Sequence, residues 1–433
     1  MLDFRPHLSI NERGHLALGG ADLVELAEKY GTPLYVYDEQ RIRGRYREFR
    51  DAFAGYGDVE VCYAYKANTS LAILHILRSE GAGADIVSEG ELYLALKVGL
   101  PGDKIIFTGN NKSDRELEKA VEAGVIINLD SLHELERLID IVEAENAEAN
   151  VSFRVNPEVS PETHPHLATG LRESKFGIHE DIVLKAYERA MRCSRLNVVG
   201  IHMHIGSQIT KTEPYEEATR RLFDIMGRLK RELGLELEFA DLGGGVGIRY
   251  SGEQPYITPA QLAEAILPII EEKLAEYSLR KPKLLFEPGR YIVGDAGVML
   301  ARVYTTKRTP YKKFIGCDAG FNLLIRPAMY GSHHDVVVAN KASLAPAEEV
   351  TIAGNLCESG DLLAKDRLLP EIEKGDVLAF LDAGAYGFVM ASQYNSRPRC
   401  AEVLVNNGKA ELIRYAEDFE DLTAKQVVPE RLR

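Results

Sequence analysis

Between residues 34 and 290, short apolar runs alternate with longer stretches whose hydrophobic positions recur every three or four residues, the patterns of strand and helix. An apolar run at Leu34–Tyr37 and a charged helix around Glu39–Ala54 come first. Eight strand candidates follow: Val61–Tyr65, Ala84–Val87, Lys104–Phe107, Val125–Leu129, Val151–Val155, Val199–His204, Glu238–Leu242 and Leu284–Glu287. Helical patterns separate them, and two open with capping boxes, Ser113-Asp114-Arg115-Glu116 and Ser131-Leu132-His133-Glu134. Eight β–α repeats over about 250 residues predict an α/β fold, a TIM-type (β/α)8 barrel. A doubly wound open sheet would carry fewer strands and an early glycine-rich phosphate loop, whereas here the glycine run comes late.

Beyond residue 290 the helical period fades. Strand-like runs appear at Val298–Thr305, Lys313–Asp318, Glu349–Ala353, Val377–Leu381 and Ala401–Val405, punctuated by Gly, Pro and Asn turns. This predicts a mainly β, sandwich- or barrel-like C-terminal domain. The segment Leu16-Ala17-Leu18-Gly19-Gly20 is expected to add a strand to it. The expected division is a joining segment at 1–33, the barrel at 34–292 and the β domain at 293–433.

At 433 residues two domains are the default, which agrees with this division. A formal charge of −14 argues against nucleic acid or an anionic membrane as partner, though not against a local basic pocket. The N-terminus lacks the apolar core of a signal peptide, and no uncharged run is long enough to span a bilayer. The five cysteines are scattered and never in a C-x-x-C pair, which excludes a disulfide framework and fits a cytoplasmic location.

In a barrel the chemistry sits at the C-terminal strand ends. Lys66 follows Val61–Tyr65 at once, where partial desolvation of its amine would favour imine formation with an aldehyde. The later strands bring Asp85 and Ser88, Arg154 and Asn156, His202, His204 and Ser207, the run Gly243-Gly244-Gly245-Val246-Gly247, and Glu287-Pro288-Gly289-Arg290. Three successive glycines leave backbone N–H groups open to an anion, and a phosphate site after strands seven and eight is a recurring barrel feature. Glu287 is placed to pair with Arg290, to hold an aromatic ring nitrogen protonated and make the ring an electron sink, or to do both. An amine for an imine, donors for a phosphate and a carboxylate for a pyridinium together describe a pyridoxal phosphate site. His202 and His204 alternate on one strand face and could chelate a metal. With no spaced carboxylate or third histidine expected beside them, no metal is assigned; one imidazole is expected against a ring and the other in the core. His164, His166, His333 and His334 are expected in solvated loops.

With these residues placed, the chain resembles the fold-type III pyridoxal phosphate-dependent decarboxylases. The resemblance runs nearly end to end, through Tyr63-Ala64-Tyr65-Lys66-Ala67-Asn68, Gly83-Ala84-Asp85-Ile86-Val87-Ser88, Ser174-Lys175-Phe176-Gly177, His202-Met203-His204-Ile205-Gly206-Ser207-Gln208, the glycine run, Glu287-Pro288-Gly289-Arg290 and Gly384-Ala385-Tyr386. Arg326-Pro327-Ala328-Met329-Tyr330-Gly331 and Cys357-Glu358-Ser359 resemble the branch that decarboxylates meso-2,6-diaminopimelate to L-lysine. The resemblance implies that Lys66 carries the cofactor as an imine, with Asp85 beside it, His204 stacked on the ring and Glu287 on its nitrogen. It implies that Ser207, Gly244, Gly245, Gly289 and Arg290 hold the phosphate, and that Tyr386 closes the pocket. Arg290, Arg326 and Tyr330 would take the substrate's distal carboxylate and Glu358 its distal ammonium, while Cys357 returns a proton. A homodimer is implied, with Cys357 and Glu358 supplied by the partner. Arg249 departs from the family pattern, in which proline follows Gly247-Ile248. The chemistry of Arg326 agrees, since its bidentate fork suits a carboxylate as lysine does not. The alternatives are decarboxylation of ornithine, arginine or carboxynorspermidine, a metal-dependent hydrolase, and a cofactor-binding regulator without catalysis.

Overall fold

The computed structural model describes residues 2–159 and 175–433, so His164, His166 and Ser174 lie outside the described residues. The chain divides into two compact units, one formed by Met1–Ile42, Tyr250–Gln254 and Val293–Arg433, the other by Arg43–Arg249 and Pro255–Ile292.

The second unit holds the eight strands expected: β1 (Val59–Ala64), β2 (Gly83–Ile86), β3 (Ile105–Phe107), β4 (Ile126–Leu129), β5 (Ala149–Asn156), β6 (Leu196–His202), β7 (Phe239–Asp241) and β8 (Lys283–Phe286). Each pairs in parallel with the next, and β8 pairs with β1, which closes the barrel. The strands read as near-continuous apolar runs because both faces are covered, one by the barrel interior and one by helices. Cys62, Ile106, Val199, Phe239 and Leu285 form a cluster within this barrel. Gly200 on β6 is required there, since a Cβ at that position would lie 2.2 Å from the Phe239 ring.

Of the two capping boxes, Ser113/Glu116 is complete, with both reciprocal bonds made. At the second, Ser131 accepts from the Glu134 N–H, but the Glu134 carboxylate does not return to Ser131. It accepts instead from the Asp130 N–H (2.8 Å) and from buried Lys112 (3.2 Å). With one oxygen on Lys112 and the other on the Asp130 N–H, the carboxylate is already engaged at both oxygens.

The first unit is mainly β. Leu34–Asp38 lies between Gly297–Arg308 (antiparallel) and Ala401–Asn406 (parallel), in a sheet continued by Lys313–Cys317, Glu348–Ala353 and Leu362–Leu369. Leu16–Leu18 is a strand of a separate three-stranded sheet with Leu8–Ile10 and Ala21–Asp22. Its Leu16 and Leu18 are buried in one core with Leu34, Val36, Val298 and Val403. Among the described residues, no helix is long and apolar enough to cross a membrane.

Candidate active site

β1 is buried from Val61 onward and ends in a single 3-10 turn, Tyr65–Ala67, that turns Lys66 out of the strand. The turn is locked by Asn68, whose N–H donates to the Tyr65 carbonyl and whose Oδ1 accepts from the Ser70 N–H. The Lys66 ammonium pairs with the Asp85 carboxylate at the end of β2, and Thr108, just past β3, donates its hydroxyl to the other Asp85 oxygen. Asp85 is fully buried, whereas the Lys66 side chain keeps 33% exposure. The amine is therefore partly desolvated, as its position in sequence implied, and it opens on a cavity of about 330 Å³ lined also by Thr108, Arg154, His202, His204 and Glu287. Ser88 is not part of this group; it caps the helix Glu89–Lys97 by accepting from the Glu91 N–H.

The glycine run permits backbones to meet at van der Waals limits. A Cβ on Gly244 would lie 2.1 Å from the Glu287 carbonyl oxygen, and one on Gly245, at φ +99°, 2.2 Å from that of Gly206. Two of the N–H groups expected to meet an anion are spent within the protein, Gly243 on Asp241 Oδ1 (2.8 Å) and Gly244 on His204 Nδ1 (3.2 Å). The side-chain donors that the sequence placed at the neighbouring strand ends do converge, with Arg290 Nη2 donating to Ser207 Oγ at 3.0 Å. Gly289 fits because a Cβ there would sit 2.9 Å from that of Ala67, beside Lys66.

β6 ends at His202, and His204 lies beyond it, so the two imidazoles have different surroundings. His204 accepts from the Gly244 N–H at Nδ1, and burial, aided by the Arg154 and Lys66 charges, keeps its pKa well below the usual value. It is a neutral ring suited to stacking. His202 is fully buried, with Nε2 3.2 Å from both Glu287 oxygens and its hydrogen bond directed at Oε2. Glu287 thus meets His202, while Arg290 meets Ser207. Asp241 also stands here, which the sequence reading did not place: donor atoms of His202, Asp241 and Glu287 lie within 4.8 Å of one another. A cation would fit among them only if His202 gave up its bond to Glu287.

Glu287 Oε1 is buried without a hydrogen-bond partner. Burial pushes its acid up, yet the hydrogen bond from His202 and the Lys66 ammonium pull it below the usual carboxylate range. An ionised, buried oxygen awaiting a donor suits a protonated pyridine nitrogen. Together with an amine at Lys66 and the Ser207–Arg290 donors, it meets the requirements of pyridoxal phosphate.

Glu91 accepts from the Val87 N–H at 2.8 Å, and burial pushes its carboxyl up from 4.5 to about 7. A group that holds its proton more tightly when folded contributes stability that is complete below about pH 4.5 and lost as pH rises through about 7. Glu91→Gln keeps the acceptor and removes the titration. Its stability relative to the parent is expected to improve as pH rises across that window and to level off above it. A difference in denaturation midpoint that does not vary with pH would refute this.

In the β unit, Arg326 opens the short helix Arg326–Tyr330 and is buried. Its Nη1 donates to His334 Nε2 (3.1 Å), its Nη2 to Ser332 Oγ (3.2 Å), and its guanidinium lies 4.7 Å from the Tyr250 ring centre. His334, expected in solvent, is fully buried, and its Nδ1 donates to the Leu381 carbonyl at 2.8 Å. That leaves a lone pair on Nε2, so His334 is the neutral tautomer that can accept from arginine. These partners orient the guanidinium without adding a negative charge. His333 beside it is half-buried and bonds Asp335. The loop carrying Cys357 and Glu358 is tied down by Asp361, which accepts from the Phe321 and Leu356 N–H groups. Cys357 and Glu358 are exposed on it, and Glu358 accepts from the Tyr394 hydroxyl at 2.6 Å. Tyr330 is half-buried, as is Tyr386, which holds a left-handed backbone at φ +55°. Such a conformation costs a non-glycine residue of order 1–3 kcal/mol and clusters at functional sites.

Residues 39–294 match the pyridoxal-dependent decarboxylases, in their pyridoxal binding domain. The chain is 51% identical to the diaminopimelate decarboxylase of Methanothermobacter thermautotrophicus over 99% of both chains. It is 48% identical to that of Archaeoglobus fulgidus, over 97% of this chain and 98% of the other. In structure it is similar to the diaminopimelate decarboxylase of M. jannaschii in co-complex with L-lysine, with a TM-score of 0.93, 42% identity and 99% of each chain covered. With the lysine, the glycine run and the buried carboxylate falling on the matched segment, the chain belongs to the pyridoxal-dependent decarboxylase family.

Proposed function

We propose that the protein is a cytoplasmic homodimer that decarboxylates meso-2,6-diaminopimelate to L-lysine and CO2, the last step of lysine biosynthesis. The observation that carries the substrate is the buried Arg326 guanidinium, oriented by His334, Ser332 and the Tyr250 ring. A distal carboxylate needs such a fork, whereas the distal end of ornithine or lysine is an amine that arginine would repel.

Pyridoxal phosphate, when bound, supplies the electron sink that accepts the pair left on Cα as the bond to the carboxylate carbon breaks and CO2 leaves. The residues do the rest. Lys66 holds the cofactor and yields its place to the substrate amine. Asp85, set by Thr108, offers a carboxylate to the lysine ammonium whenever the lysine is released. Ser207, Gly245, Gly289 and Arg290 hold the phosphate, neutral His204 covers the ring, and Glu287 keeps the ring nitrogen protonated. Arg326 and Tyr330, with Arg290, take the distal carboxylate. Glu358 takes the distal ammonium, and Cys357 gives Cα the proton that replaces CO2, both from the second copy. Tyr386 closes the pocket.

The test is incubation of the holoprotein with meso-diaminopimelate while CO2 and lysine are measured. Equimolar release of both is expected. Turnover of ornithine at an equal rate, or CO2 without lysine, would overturn the substrate assignment.

A further inference from the structure

Beneath the cofactor-facing residues runs a chain of buried polar groups that these roles do not use. Ser152 on β5, Asn128 on β4 and His202 on β6 are all fully buried. Ser152 Oγ donates to Asn128 Oδ1 at 2.8 Å, Asn128 Nδ2 donates to His202 Nδ1 at 3.1 Å, and His202 Nε2 meets Glu287 at 3.2 Å. The three bonds link three neighbouring strands to the residue that ends a fourth.

We propose that Ser152 and Asn128 fix His202 in the Nε2–H tautomer, and that His202 is thereby a positioning residue that aims Glu287 at the pyridine nitrogen of the cofactor. The direction of the chain follows from its chemistry. A serine hydroxyl beside the amide oxygen donates to it, which turns the Asn128 NH2 group toward His202. The ring nitrogen facing that NH2 group must hold a lone pair, so the proton of a neutral imidazole resides on Nε2, toward Glu287. Glu287 Oε2 is then occupied and Oε1, which has no hydrogen-bond partner, is the oxygen left for the ring. In this group Glu287 Oε1 and Asp241 Oδ2 are the buried atoms without a partner, and the Glu287 carboxylate cannot turn away from His202 without leaving the imidazole N–H buried and unpaired.

Asp241 fits the same design. Its Oδ1 accepts from the Gly243 N–H, and burial beside the Glu287 charge pushes its carboxyl well above the usual range. The two acids are thus pushed apart, Asp241 upward and Glu287 downward, so that ionisation is favoured at the carboxylate assigned to the ring.

The proposal rests on the cofactor reading, and one experiment separates the two. Apoprotein is titrated with pyridoxal phosphate labelled with nitrogen-15 in the ring, and affinity, ring-nitrogen chemical shift and melting temperature are recorded. The parent should bind with a protonated ring nitrogen; failure to bind would sink the cofactor reading itself. His202→Met removes the donor, and affinity should fall about ten- to a hundredfold, with the shift moving toward the deprotonated value. His202→Gln restores an N–H toward Glu287 and should return both toward the parent. Asn128→Ala, which leaves both imidazole nitrogens in place, should move the shift in the same direction by less, and it decides the matter if His202→Met fails to fold. Parent-like shift and affinity in His202→Met, or in Asn128→Ala should His202→Met not fold, would overturn the proposal, as would a loss that His202→Gln does not relieve.

Discussion

Alanine in place of Lys66 should lower turnover by at least about 10³-fold, on the scale seen when a covalent catalytic group is removed. The ε-amine has two separable duties. It condenses with the cofactor aldehyde, and as an ammonium it pairs with Asp85, which is buried and braced by Thr108. Lys66→Ala removes both and leaves the Asp85 carboxyl without its cation. The stability cost should be modest, because Lys66 is one-third exposed and water can reach that face. Burial, followed by the nearby Glu287 charge, already raises the Asp85 acid, so the orphaned carboxyl can take up a proton instead. Lys66→Arg separates the two duties. It keeps a cation for Asp85 yet cannot condense, so it should melt close to the parent and remain inactive. Borohydride treatment followed by peptide mass spectrometry should fix the cofactor to Lys66 in the parent and to neither variant. Activity in Lys66→Arg above about a hundredth of the parent would remove the lysine from the chemistry.

The barrel was legible because its strands are doubly covered and apolar, so that eight runs such as Val151–Val155 stand out against amphipathic helices. Lys66, Asp85 and Glu287 were legible because a charged residue at the end of such a run has few structural excuses. What could not be read were polar groups whose role depends on distant partners. Asn128 reads as one polar residue inside an apolar strand, and only closure of the barrel brings it to Ser152 and His202. His334 stands in the polar string Ser332-His333-His334-Asp335, with nothing local to show that it is buried against Arg326 and Leu381. The strand Leu362–Leu369 was missed for a different reason. It is an edge strand carrying Lys365 and Asp366 outward, with Asp366 at φ +52°, so its alternation is broken where an edge discourages further pairing. The place of the glycine run was legible, but the use of its N–H groups was not, because His204 approaches Gly244 from another strand end and the Asp241 carboxylate folds back onto the Gly243 N–H two residues on.

Arg326→Ala should weaken transition-state binding of meso-diaminopimelate by about 2–5 kcal/mol, because a substrate carboxylate would enter the site with its cation removed. The loss should appear in kcat/KM. Cofactor affinity should stay near the parent value, since Arg326 is assigned to the substrate alone. L-lysine should not become a good substrate, because deleting a cation supplies no anion for its distal amine. His334 gives a graded version of the same test. Its Nδ1–H is committed to the Leu381 carbonyl, so Nε2 is an obligate acceptor for the guanidinium. His334→Gln can still offer an acceptor and should lose little; His334→Leu cannot, and removes the bond that His334 gives Arg326 beside those of Ser332 and the Tyr250 ring. The expected order of KM for diaminopimelate is parent, His334→Gln, His334→Leu, Arg326→Ala, with kcat changing less than KM in the two histidine variants. Coupling should be evident as well: in the Arg326→Ala background, His334→Leu should add little, because two residues acting through one contact are not additive. Full additivity, or a His334→Leu enzyme with parental KM, would mean that the guanidinium is aimed by something other than this imidazole.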